Sequence, residues 1–104
     1  MILEIADIRI PPGQNDAFDA AIRLGLETVI AKAEGYRHHR VVKGVESPER
    51  YQLMIWWETL EAHTVGFRGG PLFPQWRAIV GPFFAAPPSV EHYALVTDSS
   101  GAPA

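Results

Sequence analysis

The sequence contains no cysteine. That removes disulfides, thiolate metal sites and thiol nucleophiles together, and it fits a reducing compartment. No apolar run approaches the ~20 residues that a membrane-spanning helix needs. Positive charge is scarce and scattered: nine lysines and arginines stand against twelve acids, for a net charge of -3 and a pI near 5.7. Such a balance offers no electrostatic case for nucleic acid or an anionic membrane. A phosphate-cradling glycine loop, a nucleophile elbow and a dinucleotide fingerprint are also missing. Met1 leads straight into a strand-like segment, without the charged leader, apolar run and cleavage site of a secretory signal. A soluble cytoplasmic protein, with no nucleic-acid and no membrane partner, is the expectation.

Aromatic side chains, in contrast, are plentiful: three tryptophans, three tyrosines and five phenylalanines in 104 residues. The run Tyr51-Gln52-Leu53-Met54-Ile55-Trp56-Trp57 leads into Glu58-Thr59-Leu60-Glu61-Ala62-His63 and then to Phe67, Phe73 and Trp76. Adjacent strand residues point to opposite faces, so Trp56 and Trp57 load both faces of a sheet with large side chains. Both faces therefore need cover. A chain of this length is one domain, expected over residues 1–97 with a flexible tail over 98–104, and its helices cover one face of a sheet of about four strands. The other face calls for a partner, most simply an identical subunit on a two-fold axis.

The order of elements reads strand, helix, strand, strand, helix, strand. Residues 1–10 are rich in β-branched side chains and stop at Pro11-Pro12-Gly13. From about Asn15 to Glu34, Phe18, Ile22, Val29 and Ala33 recur at helical spacing, Leu26 and Ile30 widen the stripe, and Gly35 stands ready for a left-handed cap. Gly25 is the weak position of that helix, costing ~1 kcal/mol relative to alanine. Residues 36–46 and 50–57 form a hairpin around Ser47-Pro48-Glu49. Thr59 suits the N-cap of a short helix reaching about Gly66, and a second helical piece runs from about Leu72 to Val80. Residues 89–97 make the last strand. The result is an α+β fold of ferredoxin-like βαββαβ type, a four-stranded antiparallel sheet with helices on one face.

Pro12-Gly13 and Phe18 at the first helix, Gly35 before the second strand, Trp57-Glu58-Thr59-Leu60-Glu61-Ala62-His63 with Phe67, Phe73 and Trp76, and the closing Val90-Glu91-His92-Tyr93 together resemble the antibiotic biosynthesis monooxygenase family of the dimeric α+β barrel superfamily. The resemblance spans about residues 2–96. It implies a homodimer joined through the open face of the sheet. It also implies a menu of activities: cofactor-free oxidation of polycyclic phenols or anthrones by dioxygen, oxidation of small quinols, haem degradation, or no catalysis at all.

Cofactor-free oxygenation needs a base and a water-poor aromatic cavity, because an electron-rich phenolate or carbanion passes an electron directly to dioxygen. His63 is the first candidate for base or polar anchor, standing where the family motif also places a histidine; a ring bonded to a loop carbonyl is the structural alternative. His92, pointing away from Glu91 and Tyr93, is expected to assist, or else to be satisfied within the sheet. Trp57, Phe67, Phe73, Trp76 and Phe83 are the candidate walls for a flat substrate, against ordinary core packing. Arg68 and Arg77 are cations available to a carboxylate or phenolate, though solvated positions suit both. Gly69-Gly70-Pro71 reads as a helix break or the hinge of a lid. Asp7 or Ala6 falls where haem-degrading relatives present an asparagine, a departure that lowers the haem reading. His38 and His39 point to opposite faces and lack a helical i, i+4 partner, so no metal site and no cofactor are expected. The expected function is cofactor-independent oxidation of a small aromatic, phenolic or quinol molecule by dioxygen; a non-catalytic, ligand-binding or stress-associated dimer is the alternative.

Overall fold

The computed structural model of the chain describes residues 1–100. Four strands, β1 (Ile2–Arg9), β2 (Tyr36–Lys43), β3 (Arg50–Trp57) and β4 (Ser89–Ala94), form one sheet. Their spatial order is β2-β3-β1-β4 and every neighbouring pair is antiparallel. Two helices, α1 (Asn15–Thr28) and α2 (Leu72–Val80), cover one face. This is the ferredoxin-like α+β arrangement expected from the order of elements.

The helical stripe is buried as its spacing requires: Phe18, Ile22, Leu26, Val29, Ile30 and Ala33 all enter the core. The α-helix itself is shorter than the apolar pattern. Val29 leaves helical geometry at φ -120° and ψ -66°, and a 3₁₀ turn, Ile30–Lys32, carries the stripe onward. Gly35 then adopts φ +85°, and a side chain there would meet the Ala62 Cβ at 2.6 Å. Glycine is demanded twice over, by backbone sign and by close approach. At Gly25 the reason is packing alone: an added Cβ would lie 2.8 Å from the Trp76 ring, so this gap in α1 lets α2 dock.

Other boundaries also move. β2 ends at Lys43 rather than 46, because Gly44 turns back to bond the Arg50 carbonyl. β4 stops at Ala94 rather than 97, where its pairing with Ile2 at the start of β1 runs out. Within the expected tail, Asp98 accepts bonds from the backbone and hydroxyl of Ser100; residues 101–104 lie outside the described residues. Among the described residues no helix is long and apolar enough to cross a membrane.

The adjacent tryptophans do part company. Trp57 is fully buried in the helix-covered core, whereas Trp56 lies on the opposite face beside His38, ring centroids 5.1 Å apart. That opposite face carries Leu3, Ile5 and Met54, all half-buried, flanked by exposed Val42 and Tyr93. Trp56 Nε1 and His38 Nε2 are buried without a hydrogen-bond partner among the described residues.

Candidate active site

Strand register assembles the polar centre. On the helix-covered face of β1, Glu4, Ala6 and Ile8 alternate inward. Ile2 pairs with Trp57, which makes Trp57 the diagonal neighbour of Glu4, while β4 sets His92 directly opposite Glu4. His63 comes from above. After β3, Thr59 Oγ1 accepts the Ala62 N–H at 3.1 Å, and the chain then winds as a π-helix over Ala62–Phe67. Its wide turn is closed by the Arg68 N–H bonding the His63 carbonyl at 2.9 Å. Single π turns inside helices concentrate at functional sites. This one brings His63 and Phe67 to the same inward side, both buried, with rings 6.2 Å apart.

The three ionisable side chains form a chain of contacts. Trp57 Nε1 donates to Glu4 Oε1 at 2.9 Å, His63 Nε2 lies 3.3 Å from the same oxygen, and His63 Nδ1 is 2.8 Å from His92 Nε2. The His63 ring stacks on the Trp57 indole, centroids 5.2 Å apart and planes within 17°. Burial pushes the Glu4 carboxyl up to about 7, against the smaller opposing pull of the Trp57 hydrogen bond and the Arg68 charge. Burial also pushes the His63 imidazole down to about 4, helped by Arg68 and His92. His92 is lowered as well, by burial first and Arg68 second. The buried contact between Glu4 and His63 is therefore not a carboxylate–imidazolium ion pair near neutrality. It is a close contact of 3.3 Å in which burial disfavours both charges.

Two proton arrangements satisfy this geometry. With Glu4 ionised, His63 Nε2–H donates to it and His63 Nδ1 accepts from His92 Nε2–H. With Glu4 protonated, its O–H donates to His63 Nε2, and His63 Nδ1–H donates to His92 Nε2. Switching between them moves a proton from buried Glu4 to half-buried His92 on the edge strand, without any heavy atom changing partner.

A cavity of about 590 Å³ opens beside this chain, between the sheet and α2. Glu4 and His63 form its polar wall, Phe67, Phe73, Trp76 and Phe84 its aromatic walls, and Ala6, Ile8, Leu53 and Val90 its floor. Of the expected wall residues, Phe67, Phe73 and Trp76 face it. Trp57 does not: it lies beneath His63 as a stacking and hydrogen-bonding support. Phe83 does not either, because the 3₁₀ turn Gly81–Phe83 aims its ring at Phe18, 5.6 Å away, and presents the next residue, Phe84, instead. His92 reaches the cavity only through His63. Arg68 and Arg77 contribute to the cavity wall, exposed as they otherwise are. The remaining histidines lie apart, His38 against Trp56 and His39 bonded to the Tyr36 hydroxyl at 2.6 Å. Asp7 is on the open face, paired with Arg50 at 3.1 Å.

Glu4 was not among the residues singled out from sequence. It shares parity with Ala6, Ile8 and Ile10, and that signal marks it as an inward acid. Leu3 and Ile5 on the other parity are equally apolar, which hides the face to which β1 commits.

Fold and cavity together describe a small α+β domain with a buried carboxyl on the wall of a largely apolar cavity. The chain belongs to the antibiotic biosynthesis monooxygenase family, whose model matches residues 1–79. It is 37% identical over 93 residues to "Uncharacterized protein YczJ" of Bacillus subtilis, covering 89% of this chain and 97% of that one. A Bordetella bronchiseptica crystal structure named "Putative antibiotic biosynthesis monooxygenase" superposes with a TM-score of 0.86 at 36% identity, covering 92% of this chain and 97% of that one. A Nitrosomonas europaea protein of the same name shares the fold at a TM-score of 0.75 and 20% identity, over 93% of this chain and all of that one.

Proposed function

We propose that the protein oxidises a small aromatic, phenolic or quinol substrate with dioxygen, using its own side chains and no cofactor. The observation that carries this reading is the Glu4–His63–His92 chain at the wall of an apolar cavity. Glu4, lifted to about 7, is matched to take a proton near neutrality, where a general base is most effective. His63 then serves as the polar anchor and conductor, because an imidazole lowered to about 4 is a poor resting base.

In the proposed cycle ionised Glu4 removes a proton from the substrate. The resulting carbanion or phenolate gives one electron to dioxygen, and the radical pair combines to form a C–O bond. Proton return from Glu4 yields a hydroperoxide at that carbon. Loss of the remaining C–H proton with cleavage of the O–O bond leaves C=O and water. One oxygen atom enters the product, the other leaves as water, and the substrate supplies all the electrons. The relay through His63 lets His92 exchange the proton balance of Glu4 with solvent while the cavity stays dry. Haem binding is disfavoured on the same geometry, since both ring nitrogens of His63 are engaged and neither is free for iron.

The same reading places an identical subunit on the open face of the sheet. Its support is the apolar strip of Leu3, Ile5, Met54 and Trp56 and the two buried, unpartnered nitrogens of Trp56 and His38. Light scattering should return twice the subunit mass, and a well-folded monomer would refute the dimer.

Oxygen uptake by metal-stripped protein against anthrones, naphthoquinols and catechols, with product analysis, tests the chemistry. Protein-dependent uptake that yields a quinone and is lost in Glu4→Gln is the expected result. Uptake undiminished by that substitution, or none across the panel, sinks the proposal.

A further inference from the structure

Two charged side chains on the cavity wall are not links of the proton chain, although the Arg68 charge acts on it. Arg68 closes the π-helical turn and Arg77 projects from α2. The ion pairs among the described residues join Asp7 with Arg50, Asp19 with Lys43, Glu58 with Arg37 and Glu4 with His63, and none of them includes Arg68 or Arg77. Arg77 nevertheless has aromatic neighbours. Its guanidinium lies 5.9 Å from the centre of the Phe73 ring and 6.0 Å from that of Phe84, both cavity walls.

A guanidinium within cation–π reach of two aromatic rings still offers its planar fork of donors. Such a fork matches a carboxylate. Among the described residues Glu4 is the one acid on the cavity wall; it lies with His63 and Trp57 at the sheet, and of the two arginines it is Arg68 whose charge reaches it. Apolar walls, two unpaired guanidiniums and a volume within the range of small-molecule sites suit one kind of ligand.

We propose that the cavity takes an aromatic carboxylate, its fused rings lying among Phe67, Phe73 and Trp76 and its carboxylate held by Arg77 with Arg68 beside it. This rests on the cavity being the substrate site, and it is independent of whether oxygen is consumed there. It narrows the substrate from any electron-rich aromatic to one bearing an acidic arm.

Titration with 2-naphthoate and with 2-naphthamide, followed by calorimetry and tryptophan quenching, decides the matter, since the two probes share size and rings and differ in charge. Naphthoate should bind at least about tenfold more tightly, as a charge-assisted bond of this kind warrants. Arg77→Gln should bring naphthoate down to the amide's affinity and leave the amide unchanged, and Arg77→Lys should restore part of the difference. Equal affinity for the two probes, equal loss of both in Arg77→Gln, or no binding of either overturns the proposal. Charge-selective binding with no oxidation of a hydroxynaphthoate would leave the anion site standing and remove the oxygenase reading. Oxidation of neutral substrates with no preference for the acid would do the reverse.

Discussion

Two clusters of polar side chains, on either side of the core, use similar groups to opposite effect. At one end Glu4, His63 and His92 meet Trp57 under α2. At the other, Asp19 accepts a hydrogen bond from the Tyr51 hydroxyl at 2.5 Å and from Lys43 at 2.9 Å, while Asn15 reaches the same hydroxyl at 2.9 Å. Each cluster has a carboxylate, an aromatic partner and a basic group. In the second, burial would raise Asp19, yet the bonds from Tyr51 and Lys43, with Lys43's charge, together hold it below the usual carboxylate range. In the first, burial wins, and the carboxyl rises while the imidazole falls. The difference lies first in burial, the Glu4 side chain being 7% exposed and that of Asp19 31%. The Tyr51 hydroxyl and then the charged Lys43 favour the Asp19 carboxylate, whereas His63 can be neutral and leaves Glu4 without a fixed cation. A solvated ion pair supports structure, whereas a buried neutral pair with a cavity beside it is poised for proton transfer.

The comparison breaks most visibly at turnover. Glu4→Gln should reduce the proposed oxidation by about 10²- to 10⁴-fold, as loss of a general base does, and Asp19→Asn should leave it nearly unchanged in the same oxygen-uptake assay. Because ionised Glu4 is the base, the wild-type rate should rise with pH through about 7.

Stability sharpens the contrast next. Folding lifts Glu4 from 4.5 to about 7, so across that window the native state holds a proton that the unfolded chain has lost, and stability falls as pH rises. His63 moves from 6.5 to about 4, so the native state lacks a proton that the unfolded chain holds, and stability is gained as pH rises. The slopes oppose each other over most of their range, and urea melts of the wild type should change little between pH 5 and 6 from this pair. Glu4→Gln should uncover the His63 slope, with stability rising from about pH 4 to 6.5 by up to about 3 kcal/mol. A variant as flat as the wild type would show that the two groups do not offset one another.

A smaller effect is expected at the outlet of the relay. His92→Ala should slow turnover by about tenfold, within the span of acid–base contributions, and added imidazole should restore part of it. Loss without rescue would assign His92 to packing alone. Smallest of all, Asp19→Asn should cost little stability, as solvated ion pairs do. Because the folded state lowers the Asp19 carboxyl, that contribution is present at neutral pH and is lost as pH falls through the acid range.

Much of the fold is legible in the sequence. Strand β3 begins and ends where its apolar run does, Arg50 to Trp57, and α2 occupies the expected Leu72 to Val80. Thr59 caps the segment that bears His63. The site was half legible: His63, Phe67, Phe73 and Trp76 line the cavity as residue type and spacing suggested, whereas Trp57 supports His63 from outside it and Phe83 packs on Phe18 in the core. An aromatic side chain declares that it will be buried, but not whether it will face a void or a neighbour.

The sequence by itself determined the order of elements, the two loaded faces of β3 and the glycine at Gly35, because periodicity, parity and backbone sign are local properties. Only the tertiary structure decided that Glu4, 59 positions before His63 and 88 before His92 in the chain, belongs with both of them. That meeting depends on which strands pair and in what register, and on a π turn that rotates one ring inward. The proton chain then follows from burial, which no single residue carries: a carboxyl and an imidazole exchange their ordinary proton affinities once the folded core excludes the water that would have kept both charged.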